Sequence, residues 1–375
     1  MTADYAQRNR WRIVGLMSGT SADAIDAALV QIDETGMRLL RFLTVPYDAD
    51  TREAIFRLME DRAGVRELSR THVRLGRLFA QAALAVLQGE SADLVASHGQ
   101  TVAHLPGEDP PSTLQIGEPS VIAQRVGAPC VSDFRPADMA LGGQAAPLVP
   151  AFDAWLLRNQ GPKLDRVAIN LGGMANCTWV PHDDTRPVEG WDSGPGNVLL
   201  DALAEQYCAT RCDLDGALAS SGAVDLEILG EMLRHPYFHQ DGPRSTGRET
   251  FGRDFLQHYL GRLQPADLMR TALALTCRSL VESLRPHTLG PAFEAVVGGG
   301  GVHNPVLLQD LHGQLSNLPG FQGLRSFADF GIDPDAREAC AFAYLGHQTM
   351  LGRPGSLPSV TGARRGAVLG RISFP

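Results

Sequence analysis

Asp192 stands in the run Gly190-Trp191-Asp192-Ser193-Gly194-Pro195-Gly196-Asn197, between a hairpin-like apolar stretch and a helix-like run over 198–206, where a carboxylate can face a bound ligand. Two glycine-rich turns accompany it, Ser18-Gly19-Thr20-Ser21 and Asn170-Leu171-Gly172-Gly173. The β- and γ-phosphates of a nucleotide need several donors close together, and glycine lets backbone N–H groups approach where a Cβ would block them. Thr20 and Ser21 add hydroxyl donors. Taken singly, a Gly-Thr-Ser turn between strands is more often an ordinary hairpin. The second glycine turn occupies the matching position in the second half of the chain, so two facing hairpins could grip phosphates from opposite sides. Gly298-Gly299-Gly300-Gly301, which opens a helix at Asn304, offers a side-chain-free surface for an adenosine. These glycines do not form a dinucleotide fingerprint, because the Gly-x-Gly-x-x-Gly spacing and the acidic ribose residue are missing. Together the residues point to phosphoryl transfer with a catalytic base.

These groups need a frame with two halves. At 375 residues and 44% apolar content the chain exceeds what one hydrophobic core usually serves, which predicts two domains around a cleft. Strand-like runs at 12–17, 24–32 and 38–45 form an antiparallel meander, followed by helical patterns at 51–61 and 66–87 and short strands near 94–97 and 128–132. The same order returns at 166–170, 175–180 and 187–191, with a helix over 198–207. This predicts a duplicated α/β fold. The first domain is expected over 1–135, completed by a tail at 365–375. The second is expected over 136–364, with a helical insertion around 210–265. The segment 133–150 reads as a crossover lining the cleft. Later runs read as helices at 266–284 and 335–350, with a buried strand at 293–297.

The formal charge of −9 disfavours nucleic acid or an anionic membrane as partner. Arg135, Arg244 and Arg248 could still gather around one anionic ligand. Six cysteines with no paired short spacings fit neither a disulfide framework nor a zinc ribbon, so a reducing cytoplasm is expected. No run of about eighteen apolar residues predicts a membrane span. His235 and His239 stand four apart, but Pro236 interrupts a helix there and no third ligand is evident, so no metal site is predicted.

Seven motifs then resemble one family. They are Gly15-Leu16-Met17-Ser18-Gly19-Thr20-Ser21-Ala22-Asp23-Ala24-Ile25-Asp26, Ser97-His98-Gly99-Gln100-Thr101, Ser132-Asp133-Phe134-Arg135, Asn170-Leu171-Gly172-Gly173, Trp191-Asp192-Ser193-Gly194-Pro195-Gly196-Asn197, Ser245-Thr246-Gly247-Arg248-Glu249 and Glu338-Ala339-Cys340-Ala341-Phe342-Ala343. In this order, over nearly the whole chain, they are similar to the anhydro-N-acetylmuramic acid kinases. The resemblance implies an actin-like, ribonuclease H-like ATPase fold. It implies that ATP and water convert 1,6-anhydro-N-acetylmuramic acid to its 6-phosphate in peptidoglycan recycling. It also implies a homodimer, and a nucleotide site extending through Ala22, Asp23, Ala24, Ile25 and Asp26. Two departures stand out: Ala24 replaces the family's usual glycine, and Arg244 stands where lysine is common. Arginine keeps the charge but changes the donor geometry.

In a 1,6-anhydro sugar, O6 is tied to the anomeric carbon, so no hydroxyl is free to attack the γ-phosphate. Water attacking C1 from the opposite face must give up a proton, as in an inverting glycosidase, and Asp192 is the candidate base. Glu338 is a second candidate, orienting substrate or water by resemblance. Arg135 suits a lactyl carboxylate or a phosphate, against a structural ion pair with Asp133 or Asp138. His98 and Gln100 have the reach for sugar hydroxyls or the N-acetyl group, and Gly194 and Asn197 join the substrate side by resemblance. Mg²⁺ is expected to arrive with ATP, with Asp23 or Asp26 as outer-shell partners. Two other readings remain at this point: an actin-like kinase for a sugar with a free hydroxyl, and an ATP-gated sugar sensor without catalysis.

Overall fold

The computed structural model describes residues 5, 7–158, 160–240, 246–247 and 249–375. The chain divides into two compact units, one of residues 1–156 with 331–375 and the other of residues 157–330. In the first unit, strands β1 (Arg10–Ser18), β2 (Ala24–Asp33) and β3 (Gly36–Pro46) form an antiparallel meander. β4 (Leu94–Leu105) lies parallel to β1, and β6 (Cys130–Ser132) lies parallel to β4. β5 (Ser112–Ile116) hairpins back on β4. In the second unit, β7 (Asp165–Leu171), β8 (Met174–Val180) and β9 (Glu189–Pro195) repeat the meander, with β10 (Phe293–Gly298) parallel to β7 and β11 (Phe321–Ser326) parallel to β10. Both sheets therefore share the order third–second–first–fourth–fifth, the arrangement of the duplicated actin-like α/β fold. The last strand, β12 (Arg371–Ser373), pairs antiparallel with β6 and completes the first sheet.

Helices cover these sheets: α1 (Ala49–Met59), α2 (Val65–Leu87), α3 (Pro119–Val126), α4 (Val198–Cys208), α5 (Pro265–Leu284), α6 (Pro305–Leu315) and α7 (Arg337–Met350). The apolar stripe of α2 buries Leu75, Phe79, Ala82 and Val86, as its period predicts. Its core continues into Val14, Leu16 and Val95 of the sheet. In the second unit α5 is buried on nearly every face, and its Leu268, Ala272, Leu275 and Leu280 join Val167, Ile169 and Phe293 in one core.

The unit boundary differs from the expected division at 135/136. The reason is α7, which packs on β1, β2 and β4 although it follows the second unit in sequence, and whose Arg337 pairs with Asp153 and so ties the segment before residue 157 to the first unit. Gly15 permits this approach, since a Cβ there would stand 1.9 Å from the Ala339 carbonyl oxygen. Gly346 does the same farther along, where a Cβ would lie 2.6 Å from Ala96 Cβ. Sequence periodicity cannot show which sheet a late helix returns to. Among the described residues, no helix is long and apolar enough to cross a membrane.

Candidate active site

In the first unit, the turn between β1 and β2 spans residues 19–23. The Ala22 N–H donates to Gly19 O at 3.1 Å, and the buried Ala22 adopts φ 49°, in the left-handed region. Among the described residues, the amides and hydroxyls of Thr20 and Ser21 make no hydrogen bond, so this turn presents unpaired donors. Asp23 is exposed and paired with Arg52 at 2.7 Å. Ile25 is a core residue, and Ala24 offers its carbonyl to the Ser18 hydroxyl at 2.9 Å. Asp26 accepts from Thr44 Oγ1 at 2.7 Å. Burial pushes its carboxyl up to about 6 against that hydrogen bond, with Glu338 and Asp335 adding to the rise.

Glu338 sits half-buried in the first turn of α7. Burial raises its carboxyl, while Arg337 and Arg135 oppose the rise. Arg135 pairs with neither Asp133 nor Asp138. Its Nε and Nη2 both reach His98 Nε2, at 3.1 and 2.9 Å, and its Nη1 donates to Ala145 O at 2.6 Å. Asp138 instead accepts from Ala145 N–H and the Thr361 hydroxyl, and Asp133 faces Arg371 at 3.6 Å. Burial draws Arg135 down to about 10, with Glu338 opposing, so it stays charged at neutral pH. His98 is buried, packs against the Phe342 ring in a tilted contact at 4.6 Å, and lies 2.9 Å through Nδ1 from Gly99 O. Burial first and the Arg135 charge second hold its pKa well below the usual value. A neutral ring donating from Nδ1 and accepting at Nε2 satisfies both sets of partners. Gln100 is fully buried, and its amide is spent on Ser18, Gly19 and Thr101 rather than on open space.

In the second unit, the run around Asp192 is strand where the sequence suggested a turn, since β9 continues through Pro195. Asp192 is half-buried opposite Asn176. Its Oδ2 accepts the Thr246 N–H at 2.9 Å, and its backbone carbonyl accepts the Tyr237 hydroxyl at 2.7 Å. Thr246 belongs to the Ser245–Glu249 motif, in which the sequence points to Arg248 rather than to Thr246, and Tyr237 carries no sequence signal. Arg244, Ser245 and Arg248 lie outside the described residues.

The glycine turn after β7 is tied to the start of α4. Gly172 O accepts from Asn197 N–H at 2.8 Å, and Gly173 O accepts from Gly196 and Val198 N–H at 2.9 and 3.0 Å. The turn's own Gly172 and Gly173 amides make no hydrogen bond among the described residues. Asn170, next to last on β7, pairs with Gly298 on β10. Asn197 spends its side-chain N–H on Leu171 O at 2.9 Å, and Gly194 is needed for packing, where a Cβ would lie 2.9 Å from Phe238. The late glycine run is narrower than a flat platform. Cβ atoms at Gly299 and Gly301 would each come within 2.6 Å of residues 170–171, whereas Gly300 is open. Asn304 caps α6, its Oδ1 accepting from Leu307 N–H at 3.1 Å.

Among the described residues, unpaired turn amides occur in both units, with a hydrogen-bonded carboxylate at Asp192 in the second and the Arg135–His98 pair near Glu338 in the first. A family model described as anhydro-N-acetylmuramic acid kinase matches residues 11–375. Relatives bearing that name include one from Salinibacter ruber, 41% identical with 98% of each chain covered. Others come from Thiobacillus denitrificans and Xanthomonas campestris pv. campestris, each 42% identical with 96% of each chain covered.

Proposed function

This chain belongs to the anhydro-N-acetylmuramic acid kinase family, and from that premise we propose how its residues carry out the reaction, with Asp192 as general base and ATP as phosphoryl donor. The enzyme is a kinase of cell-wall recycling, which sets aside the sensor and the ordinary-sugar kinase as readings. Asp192 takes a proton from water as the water oxygen bonds to C1. The C1–O6 bond breaks, O6 bonds to the γ-phosphorus, and the bond from that phosphorus to the β-bridging oxygen breaks. The products are N-acetylmuramic acid 6-phosphate and ADP. The departing O6 needs no acid, because phosphorus accepts its electron pair.

The observation that carries the base assignment is the hold on Asp192. A backbone N–H fixes one carboxylate oxygen, and a tyrosine hydroxyl fixes the peptide carbonyl behind it. A base must keep its lone pairs oriented before the substrate arrives, and hydrogen bonds from the Tyr237 turn and from the Thr246 backbone do this. The unpaired amides at Thr20, Ser21, Gly172 and Gly173 support phosphate binding at both turns, with Gly300 on the adenosine side. Arg135 and Glu338 orient the sugar, His98 holding the guanidinium flat. Mg²⁺ supplies charge neutralisation to the phosphates when bound. Of its two expected outer-shell partners, Asp23 is already paired with Arg52, which leaves the half-buried Asp26, hydrogen-bonded to the neutral Thr44 hydroxyl, as the carboxylate that fits it. ATP as donor supports a cytoplasmic location for the reaction.

Asp192→Asn keeps the shape but cannot accept the proton. Its kcat should fall by ~10³-fold, within the usual range for losing a general base, while KM for ATP and sugar stays within about threefold of wild type. A near-normal kcat in a coupled ADP-release assay would remove Asp192 from the role.

A further inference from the structure

We infer that Gln100, Ser18 and Tyr47 are positioning residues that set the peptide orientation of the turn at residues 19–21, and that Gln100 makes no contact with the sugar. The inference rests on the reading of that turn as a phosphate site. β1 and β4 run parallel, and their register sets Ser18 beside Gln100. Both side chains are buried. Gln100 Oε1 accepts from Ser18 Oγ at 2.7 Å, and Gln100 Nε2 donates to Gly19 O at 3.1 Å and Thr101 O at 3.2 Å. Both amide hydrogens are thereby used. The Ser18 oxygen in turn accepts the Tyr47 hydroxyl at 3.2 Å and lies 2.9 Å from Ala24 O on the far side of the turn.

The consequence follows from peptide geometry. In a trans peptide the carbonyl of one residue and the N–H of the next lie in one plane and point in opposite directions. Gly19 O is held by Gln100 Nε2 on one side and by the Ala22 N–H on the other. Fixing that carbonyl towards Gln100 turns the Thr20 N–H away from β4, leaving it unpaired among the described residues and ready for an anion. Without the amide, the Gly19–Thr20 peptide is free to rotate, and the donor must be reoriented when the phosphate binds.

The test is the split between the two substrates. Gln100→Met has similar length but no hydrogen bonds, and should raise KM for ATP about tenfold, the scale of a lost hydrogen bond, with KM for the anhydro sugar within about twofold. A rise in the sugar KM with ATP unaffected would overturn the inference in favour of direct sugar contact. Thr20→Ala combined with Ser21→Ala probes the turn itself. If that pair raises KM for ATP and Gln100→Met does not, the positioning role fails while the phosphate reading stands. If neither variant moves it, both fail. Should Gln100→Met not fold, Ser18→Ala removes one hydroxyl from the same network and should give a smaller, about threefold, ATP-specific rise; no rise there overturns the inference.

Discussion

At Arg135 two guanidinium N–H groups converge on one imidazole nitrogen, and the side chain gains its orientation from a neutral histidine. A carboxylate partner would cancel its charge, whereas His98 leaves that charge available to an anionic sugar. Arg135→Lys keeps the charge but cannot make the two-pronged contact and the Ala145 bond together. It should raise KM for the sugar about tenfold, the scale of one charge-assisted hydrogen bond, with little change for ATP; equal effects on both substrates would argue against a sugar-side role. Glu338 shares this neighbourhood, and its raised carboxyl records the burial of its charge. Glu338→Gln should lower kcat by about 10²-fold with the fold intact, and an unchanged kcat in steady-state assays would exclude it from catalysis.

The second glycine turn is locked at the entry to α4. The amides of Gly196, Asn197 and Val198 hold the carbonyls of Gly172 and Gly173, and Gly196 makes the contact possible because a Cβ would stand 2.3 Å from Gly172 O. Gly196→Ala should destabilise the unit by about 1–3 kcal/mol through overpacking and weaken ATP binding. Thermal melting together with ATP titration checks this, and an unchanged melting temperature would mean that the turn yields at no cost. The strand meanders and glycine turns could be read from sequence because alternation and punctuation are local signals. β5 and β11 could not be, since neither Ser112–Ile116 nor Phe321–Ser326 alternates cleanly between buried and exposed positions. β9 runs past the expected end at 191 to Pro195 and carries Asp192 within it, because Gly190, Gly194 and Gly196 imitate a turn in sequence. Gln100 and Asn197, expected on the substrate side, spend side-chain amide hydrogens on backbone carbonyls, which illustrates a further limit. A polar residue in a glycine-rich motif has the same sequence signature whether it faces a ligand or ties down the backbone beside one.

Over the whole molecule, the repeated strand order gives each unit a parallel pair flanking the first strand, with glycine turns at equivalent positions. That repetition was visible in sequence, but the return of α7 to the first sheet was not, because it depends on contacts between residues hundreds of positions apart. Stability at this scale should depend on acid. His347 on α7 is buried, shares a hydrogen bond with the Tyr5 hydroxyl at 3.0 Å and packs on Trp11 at 4.5 Å. Burial first, and the Arg353 charge second, hold it down to about 4. The unfolded chain therefore binds more protons than the folded one between the ordinary value of 6.5 and about 4, and stability falls as pH falls through that window. The loss is about 3 kcal/mol, and melting of His347→Phe across that range should show a shallower acid slope, with an unchanged slope assigning the effect elsewhere. The central claim concerns the reaction as a whole, that water opens the anhydro bridge while O6 captures the phosphoryl group. Turnover in ¹⁸O-labelled water, quenched early and reduced to fix the C1 oxygen, tests it by mass spectrometry. The account predicts one labelled oxygen at C1 and none in the phosphate; label in the phosphate with unlabelled C1 would contradict it.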